Sequence, residues 1–108
     1  MDSLKVLGQS SPGATTETKL YTVPVGRATN TTSLVVCNRD SVEITFRASV
    51  STAGSATLDK DYIYYNVPVG VGDTFVATIG LTLAEGDIVR VYASTSKVSF
   101  SLYGLERG

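Results

Sequence analysis

The chain has 108 residues, the length of one domain, and its 43% of hydrophobic residues excludes a mostly disordered chain. A formal net charge of −1, with only 18% charged residues, leaves too few cations to neutralise phosphates, so we expect no nucleic acid partner. No stretch approaches the roughly 20 apolar residues of a membrane span, and the first residues lack the apolar run of a signal peptide. We therefore expect neither a membrane partner nor export.

The residues that usually carry catalysis and metal binding are scarce. The chain contains no histidine, the commonest general base and metal ligand, and its one cysteine, Cys37, cannot form an intramolecular disulfide. Cys37 ends an apolar run, which predicts a small buried side chain. Acidic residues at 59–61 with Asp73, and at 85–87, could attract Ca²⁺, but neither group forms a complete calcium loop and both are typical of turns. We expect no enzyme activity, no metal and no cofactor.

The strand signals recur along the whole chain, whereas no window shows the apolar spacing of a helix. In chain order, strands are predicted at residues 5–7, 18–25, 31–38, 42–50, 61–69, 74–83, 88–93 and 98–105. The continuous apolar run at 31–38 predicts a strand buried on both faces, and the alternation at 42–50 predicts a strand with one wet face. Gly80 predicts an irregularity within 74–83.

These strands predict an all-β fold, an antiparallel β-sandwich of seven or eight strands that is jelly-roll-like or immunoglobulin-like. YTVPVG at 21–26 is echoed by YNVPVG at 65–70, which fits either two stacked Greek keys or chance. We expect residues 1–16 to form an N-terminal extension or arm with a short strand, which contacts a neighbouring subunit or an underlying shell. Residues 17–108 are expected to form a single β-sandwich domain.

The candidate interface residues are three tyrosines and two arginines, Tyr62, Tyr64, Tyr65, Arg47 and Arg90. Strand alternation predicts Tyr62 and Tyr64 on one face and Tyr65 on the other. Such tyrosines can seal the core, anchor a protein interface or stack on a sugar. The two arginines interrupt otherwise neutral strands, which fits either a solvated surface or salt bridges between subunits.

Several stretches, in a distinctive order, carry a family resemblance over most of the chain from about residue 20. They are LYTVPVGR at 20–27, SLVVCNR at 33–39, TFR at 45–47, DTF at 73–75, GLTL at 80–83, VRVYAS at 89–94 and FSLYG at 100–104. In this order they resemble small tailed-bacteriophage virion structural proteins. The resemblance implies a virion component, leaves open whether it belongs to the capsid, neck, tail or fibre, and carries no catalytic residues.

Together these features predict a non-enzymatic structural subunit of a tailed-phage virion, foremost a capsid decoration (cement) protein that stabilises the particle. Its expected partners are copies of itself, with a homotrimer preferred, and the major capsid or tail proteins. We expect assembly in the host bacterial cytoplasm and a final location in the virion. The alternative is a tail, neck or baseplate accessory protein, or a tail-fibre module that recognises host glycan or protein.

Overall fold

The computed structural model describes residues 2–108, and almost all regular structure in it is β-strand. The strands are β1 (Ser3–Ser10), β2 (Thr18–Thr22), β3 (Ala28–Asn38), β4 (Ile44–Ser51), β5 (Tyr62–Val69), β6 (Thr74–Ala77), β7 (Thr82–Leu83), β8 (Ile88–Ala93) and β9 (Val98–Arg107). One 3₁₀ turn, Asp59–Asp61, precedes β5. The all-β expectation is confirmed.

Two antiparallel sheets pack face to face. The β1 sheet has the order β1-β9-β3-β6, with β7 also paired to β3, and the β2 sheet has the order β2-β8-β4-β5. The pairing is nested, since β1 meets β9, β2 meets β8, β3 meets β6 and β7, and β4 meets β5. A long hairpin wound into two sheets gives this jelly-roll order, whereas an immunoglobulin sheet pairs more of its consecutive strands.

The core lies between the sheets and is built from the inward positions of both. Its largest fully buried side chains include Phe46 on β4 and Phe100 on β9, whose ring centroids are 6.1 Å apart in an edge-on contact. Ile44 and Ala48 point inward with Phe46, as the alternation of β4 predicts. The outward Ser49 of β4, expected to be wet, is instead buried at 1% exposure.

Strand β3 has one open face, so the expectation that it is buried on both faces was wrong. Leu34 and Val36 point into the core at 1% and 0% exposure, while Val35 and Cys37 lie half-buried on the outer side. The reason is that nothing in the described chain packs over the outer face of the β1 sheet. Cys37 is therefore not the buried side chain that the apolar run predicted.

The predicted strand at 74–83 is two strands, and the break contains Gly80 as expected for an irregularity. Thr31 on β3 bridges this break, because its hydroxyl donates to the carbonyl of Ile79 over 2.8 Å and accepts from the Leu81 N–H over 2.9 Å. The Leu81 carbonyl also accepts the Thr31 N–H over 3.0 Å. Side chain and backbone thus replace the missing ladder hydrogen bonds.

The two echoed stretches have different surroundings. Pro24 follows the end of β2, where the chain turns, but Pro68 lies inside β5 opposite Thr45. β5 is an edge strand, so a residue without an N–H is tolerated on its open side. The two similar stretches therefore have different structural roles, one at a turn after β2 and one within the edge strand β5.

The first part of the predicted arm is a strand of the β1 sheet. β1 pairs with β9 along its length, and it comes so close to β2 that a Cβ on Gly8 would lie 2.1 Å from the Leu20 carbonyl oxygen. Glycine is therefore required at this contact between the sheets. A contact between residues 1–16 and another subunit stays a prediction.

A buried polar cluster joins the two sheets at one end of the sandwich. The Tyr21 hydroxyl on β2 lies 2.6 Å from the Glu106 carboxylate on β9 and 2.8 Å from the Thr29 hydroxyl on β3. Lys5 adds an ion pair to Glu106 at 3.0 Å. Hydrogen bonds from Tyr21 and Lys5 lower the pKa of Glu106, while burial and the bond to Glu106 raise the pKa of Tyr21 to about 12.

Candidate interaction surfaces

The outer face of the β1 sheet is an apolar surface, which we call the β1 face. Its cross-strand partners on this side are Leu4 with Leu105, Val6 with Tyr103, and Val35 with Val76. Leu4, Val76 and Val6 are 79%, 58% and 48% exposed, although each belongs to a strand. Exposed apolar side chains grouped on one sheet face are typical of a contact surface.

Charged side chains flank the β1 face and are absent from its described centre. Arg107 and Asp2 lie 4.0 Å apart at one end, and Arg39 donates to the Ser99 hydroxyl over 2.8 Å at the other. The outward positions between these ends hold apolar residues, serines, threonines and amides. Such a face loses little hydration free energy when another uncharged surface covers it.

The outer face of the β2 sheet carries a different surface, the Tyr–Arg cluster, formed by Arg47, Tyr62, Tyr65 and Tyr92. Arg47 on β4 stands directly opposite Tyr92 on β8, and Tyr65 lies on the neighbouring β5. The Arg47 guanidinium carbon is 4.3 Å from the ring centroids of both Tyr65 and Tyr92. The Tyr62 ring meets the Tyr65 ring edge-on, with centroids 5.0 Å apart.

Arg47 is held in place by polar as well as aromatic contacts. Its Nε donates to the Asn66 side-chain oxygen over 2.7 Å. Asn66 has a positive φ of 52° at an irregularity in β5, a conformation that asparagine adopts more readily than most residues. Two rings and one amide therefore hold the guanidinium in one orientation.

The structure brings together Arg47, Tyr62 and Tyr65 from the predicted set and adds Tyr92, which the sequence analysis did not single out. Tyr64 is elsewhere, because its ring packs against the core rings of Phe46 and Phe75 at centroid distances of 5.8 and 5.4 Å. The predicted sharing of a face by Tyr62 and Tyr64 was wrong. Register shifts between β4 and β5 at this point put Tyr62 beside Tyr65 instead.

Arg90, on the outer face of the β2 sheet, bonds to residues of its own subunit. Its Nη1 donates to the Ser51 hydroxyl over 2.7 Å, the Ser55 carbonyl over 3.0 Å and the Thr57 hydroxyl over 3.2 Å. These bonds fasten the loop of residues 52–58 over the outer side of β4 and β8. Ser49 lies between Arg90 and Tyr62 on the two neighbouring strands, and the loop engages the Nη1 of Arg90 within the subunit.

A cleft of about 520 Å³ opens at one end of the sandwich, beside Pro24, Val25, Gly54 and Glu85. Its polar groups already bond to one another. The Gly54 N–H donates to the Gly86 carbonyl over 2.9 Å, and Glu85 accepts the Gly26 N–H. The cleft thus presents few free polar groups that could orient a ligand.

Residues 2–108 contain neither a group of three or more candidate metal ligands nor a helix long and apolar enough to cross a membrane. No protein-family model matches the chain, and no curated protein matches it significantly. The two outer faces of the sandwich are therefore the features from which a function can be argued.

Proposed function

We propose that the chain is a non-enzymatic structural subunit of a tailed-phage virion, a capsid decoration (cement) protein that assembles as a homo-oligomer, with a trimer preferred. The observation that carries this proposal is the exposed, uncharged β1 face. The sequence resemblance supplies the virion context, and the absence of histidine agrees with a mechanical role.

A second copy of the chain is the occupant that best fits the β1 face. The face displays no charge in its centre, so its polarity matches another part of the same uncharged face on a second copy and not a charged partner surface. A domain of 108 residues also buries only about 65% of its unfolded surface, so covering this face adds stability.

The β1 and β6 edges of the β1 face both carry exposed apolar side chains, which allows a ring of subunits. Leu4 and Val6 lie on β1 and Val76 lies on β6, at opposite edges of a sheet with the order β1-β9-β3-β6. Three strand spacings separate these edges by about 14 Å. In a ring, the β1 side of one subunit's face packs against the β6 side of the next subunit's face. Such head-to-tail contacts form a ring when the rotation between subunits closes, and we propose closure at three subunits.

Light scattering coupled to size-exclusion chromatography tests this assembly. The wild-type protein is expected to have the mass of a discrete trimer, and Val76→Glu is expected to have the mass of a monomer, because it buries a charge in the contact. Val25→Glu is the matched control, since Val25 is 88% exposed on a turn away from the face. A monomeric wild type at high concentration, or a Val76→Glu variant that keeps its mass, contradicts the proposed contact.

A decoration role is tested on particles. The purified wild-type protein should bind shells that lack it and raise the temperature at which they release their contents, because ligands that bind the assembled state stabilise it. Failure to bind any shell or tail component would overturn the virion assignment.

A second function, a tail-fibre recognition module, is favoured by the Tyr–Arg cluster. Aromatic side chains with an oriented arginine are typical of binding surfaces. Replacing Tyr62 and Tyr65 by serine is expected to remove adsorption to host cells without changing the oligomer mass. Unchanged adsorption contradicts this function.

A further inference from the structure

The Arg47 guanidinium has no acidic partner in the described chain. Residues 2–108 form ion pairs at Lys5, Lys60 and Arg107, none of which involves Arg47. A guanidinium carries five N–H donors, and among residues 2–108 only the one on Nε finds an acceptor, the side-chain oxygen of Asn66. The donors on its two terminal nitrogens remain for an external acceptor.

The geometry around these donors is already organised. The rings of Tyr65 and Tyr92 hold the guanidinium carbon at 4.3 Å from each centroid, and Asn66 fixes its rotation about the side chain. An arginine that is held before binding loses less side-chain entropy when a ligand arrives. A planar fork of this kind is complementary to a carboxylate, to which it can donate two parallel bonds.

Beside this fork lies an aromatic platform with unused hydroxyls. Tyr65 is 57% exposed, and Tyr62 stands edge-on against it. In the described part of the chain, the hydroxyls of Tyr62, Tyr65 and Tyr92 make no hydrogen bond to protein, unlike that of Tyr21. A ligand on this surface therefore meets the exposed part of the Tyr65 ring and phenolic hydroxyls next to a cation.

We propose that the Tyr–Arg cluster binds an acidic sugar, a hexuronic acid unit of a polysaccharide. Its carboxylate would pair with Arg47, its C–H groups would contact the part of the Tyr65 ring that Arg47 and Tyr62 leave exposed, and its hydroxyls would bond to the phenols. An acidic peptide supplies the carboxylate on a flexible side chain, without the rigid ring of hydroxyls that would bond to the neighbouring phenols. The inference rests on the recognition function proposed as the second candidate and names its ligand class.

The test is a titration followed by ¹H–¹⁵N NMR, with a trimer of galacturonic acid as the probe. We expect saturable shifts confined to β4, β5 and β8, with a dissociation constant on the order of 1 mM for a single exposed site. The methyl ester of the same trimer is the matched ligand, since it keeps the sugar ring and removes the charge. It is expected to bind about tenfold more weakly or worse, because the charge-assisted fork is lost.

Two variants complete the design. Arg47→Gln is expected to lose at least about tenfold in affinity for the acid trimer, whereas Arg39→Gln, at the far end of the β1 face, is expected to bind as wild type. Dispersed amide spectra of both variants show that they are folded. Absence of saturation with the acid trimer, or equal binding of acid and ester, would overturn the proposal.

A glutamate-rich peptide is the competing ligand. Tighter binding of this peptide at the same residues would overturn the sugar proposal in favour of a protein partner. The host-adsorption assay tests the recognition function separately from the ligand class. If Arg47→Gln loses the acid trimer but adsorbs normally, the ligand class stands and the recognition function falls.

Discussion

Glu106 shows at the residue scale how one buried carboxylate can link two sheets. Its bonds to Tyr21 and Lys5 lower its pKa from the ordinary value of 4.5. We expect Glu106→Gln to reduce the free energy of unfolding at pH 7 by about 1–2 kcal/mol, because charge-assisted bonds become neutral. Urea denaturation of both proteins measures this difference.

The lowered pKa of Glu106 also predicts how the stability difference between wild type and Glu106→Gln depends on pH. A carboxylate whose pKa is lower in the folded state stabilises it above pH 4.5, and this contribution is lost as the pH falls through the folded-state value. The stability difference between wild type and Glu106→Gln should therefore shrink from pH 7 to pH 3. Asp40 and Asp61, whose pKa values are also lowered, are present in both proteins and cancel. A difference independent of pH contradicts the role of the charge.

Tyr21→Phe is the complementary variant at alkaline pH. Because the pKa of Tyr21 rises from 10.0 to about 12 on folding, the wild type loses stability as the pH rises between these values. Phenylalanine has no proton to lose, so this part of the alkaline destabilisation should be absent from the variant. Urea midpoints at pH 9 and pH 11 compare the two proteins.

Gly104 gives a further prediction at this scale. A Cβ at Gly104 would lie 2.5 Å from the Asn30 carbonyl oxygen and 2.9 Å from both Leu7 Cδ1 and Thr31 Cα. Gly104→Ala is therefore expected to lower the unfolding free energy by about 1–3 kcal/mol. The atom nearest to a Cβ at Gly80 is the Thr31 carbonyl oxygen, 3.9 Å away. Gly80→Ala should therefore change the unfolding free energy by less than about 1 kcal/mol. Equal effects in the two variants contradict the packing argument.

At the scale of elements, Arg90 fastens a loop within the subunit. Replacing it by glutamine removes the bonds to Ser51, Ser55 and Thr57 that hold residues 52–58. We expect amide hydrogen exchange to accelerate in this loop and to stay slow in β4 and β8, because the core beneath is unchanged. Arg39→Gln, which acts at the other sheet, is the control and should leave the loop protected.

The strands themselves could be predicted from the sequence wherever apolar and polar residues alternate. The span of 88–93 matches β8, and the inward residues of β4 follow the predicted pattern from Ile44 to Val50. Local pattern does not encode which face a neighbouring sheet or loop will cover. Val35 was therefore expected to be buried, and Ser49 was expected to be wet.

The candidate site was predicted only in part, because its contacts also depend on how neighbouring strands pair. Arg47 and Tyr65 were visible as unusual residues in strands, but Tyr92 became relevant only through the pairing of β4 with β8. The register shift that brings Tyr62 to Tyr65 is likewise a property of two strands together. The spacing of residues within one strand predicts neither the contact of Arg47 with Tyr92 nor that of Tyr62 with Tyr65.

At the scale of the whole molecule, the β1 face and the Tyr–Arg cluster lie on the two opposite outer surfaces of one sandwich. This arrangement allows the proposed assembly and the proposed recognition to act at once. A subunit that uses its β1 face to join copies of itself still presents Arg47 and Tyr65 outward. A ring then displays several copies of the cluster, which raises the avidity for a repeating polysaccharide.

Assembly through an apolar face also predicts how stability depends on concentration and salt. If a second copy covers the β1 face, the melting temperature of the wild type should rise with protein concentration, by mass action. Val76→Glu should remove this dependence and Val25→Glu should keep it. Sulfate should strengthen an apolar contact and sodium chloride should change it little, whereas an assembly held by arginine salt bridges would weaken in sodium chloride. Scanning calorimetry at two concentrations and two salts separates these cases, and a melting temperature independent of concentration would contradict assembly of the free subunit.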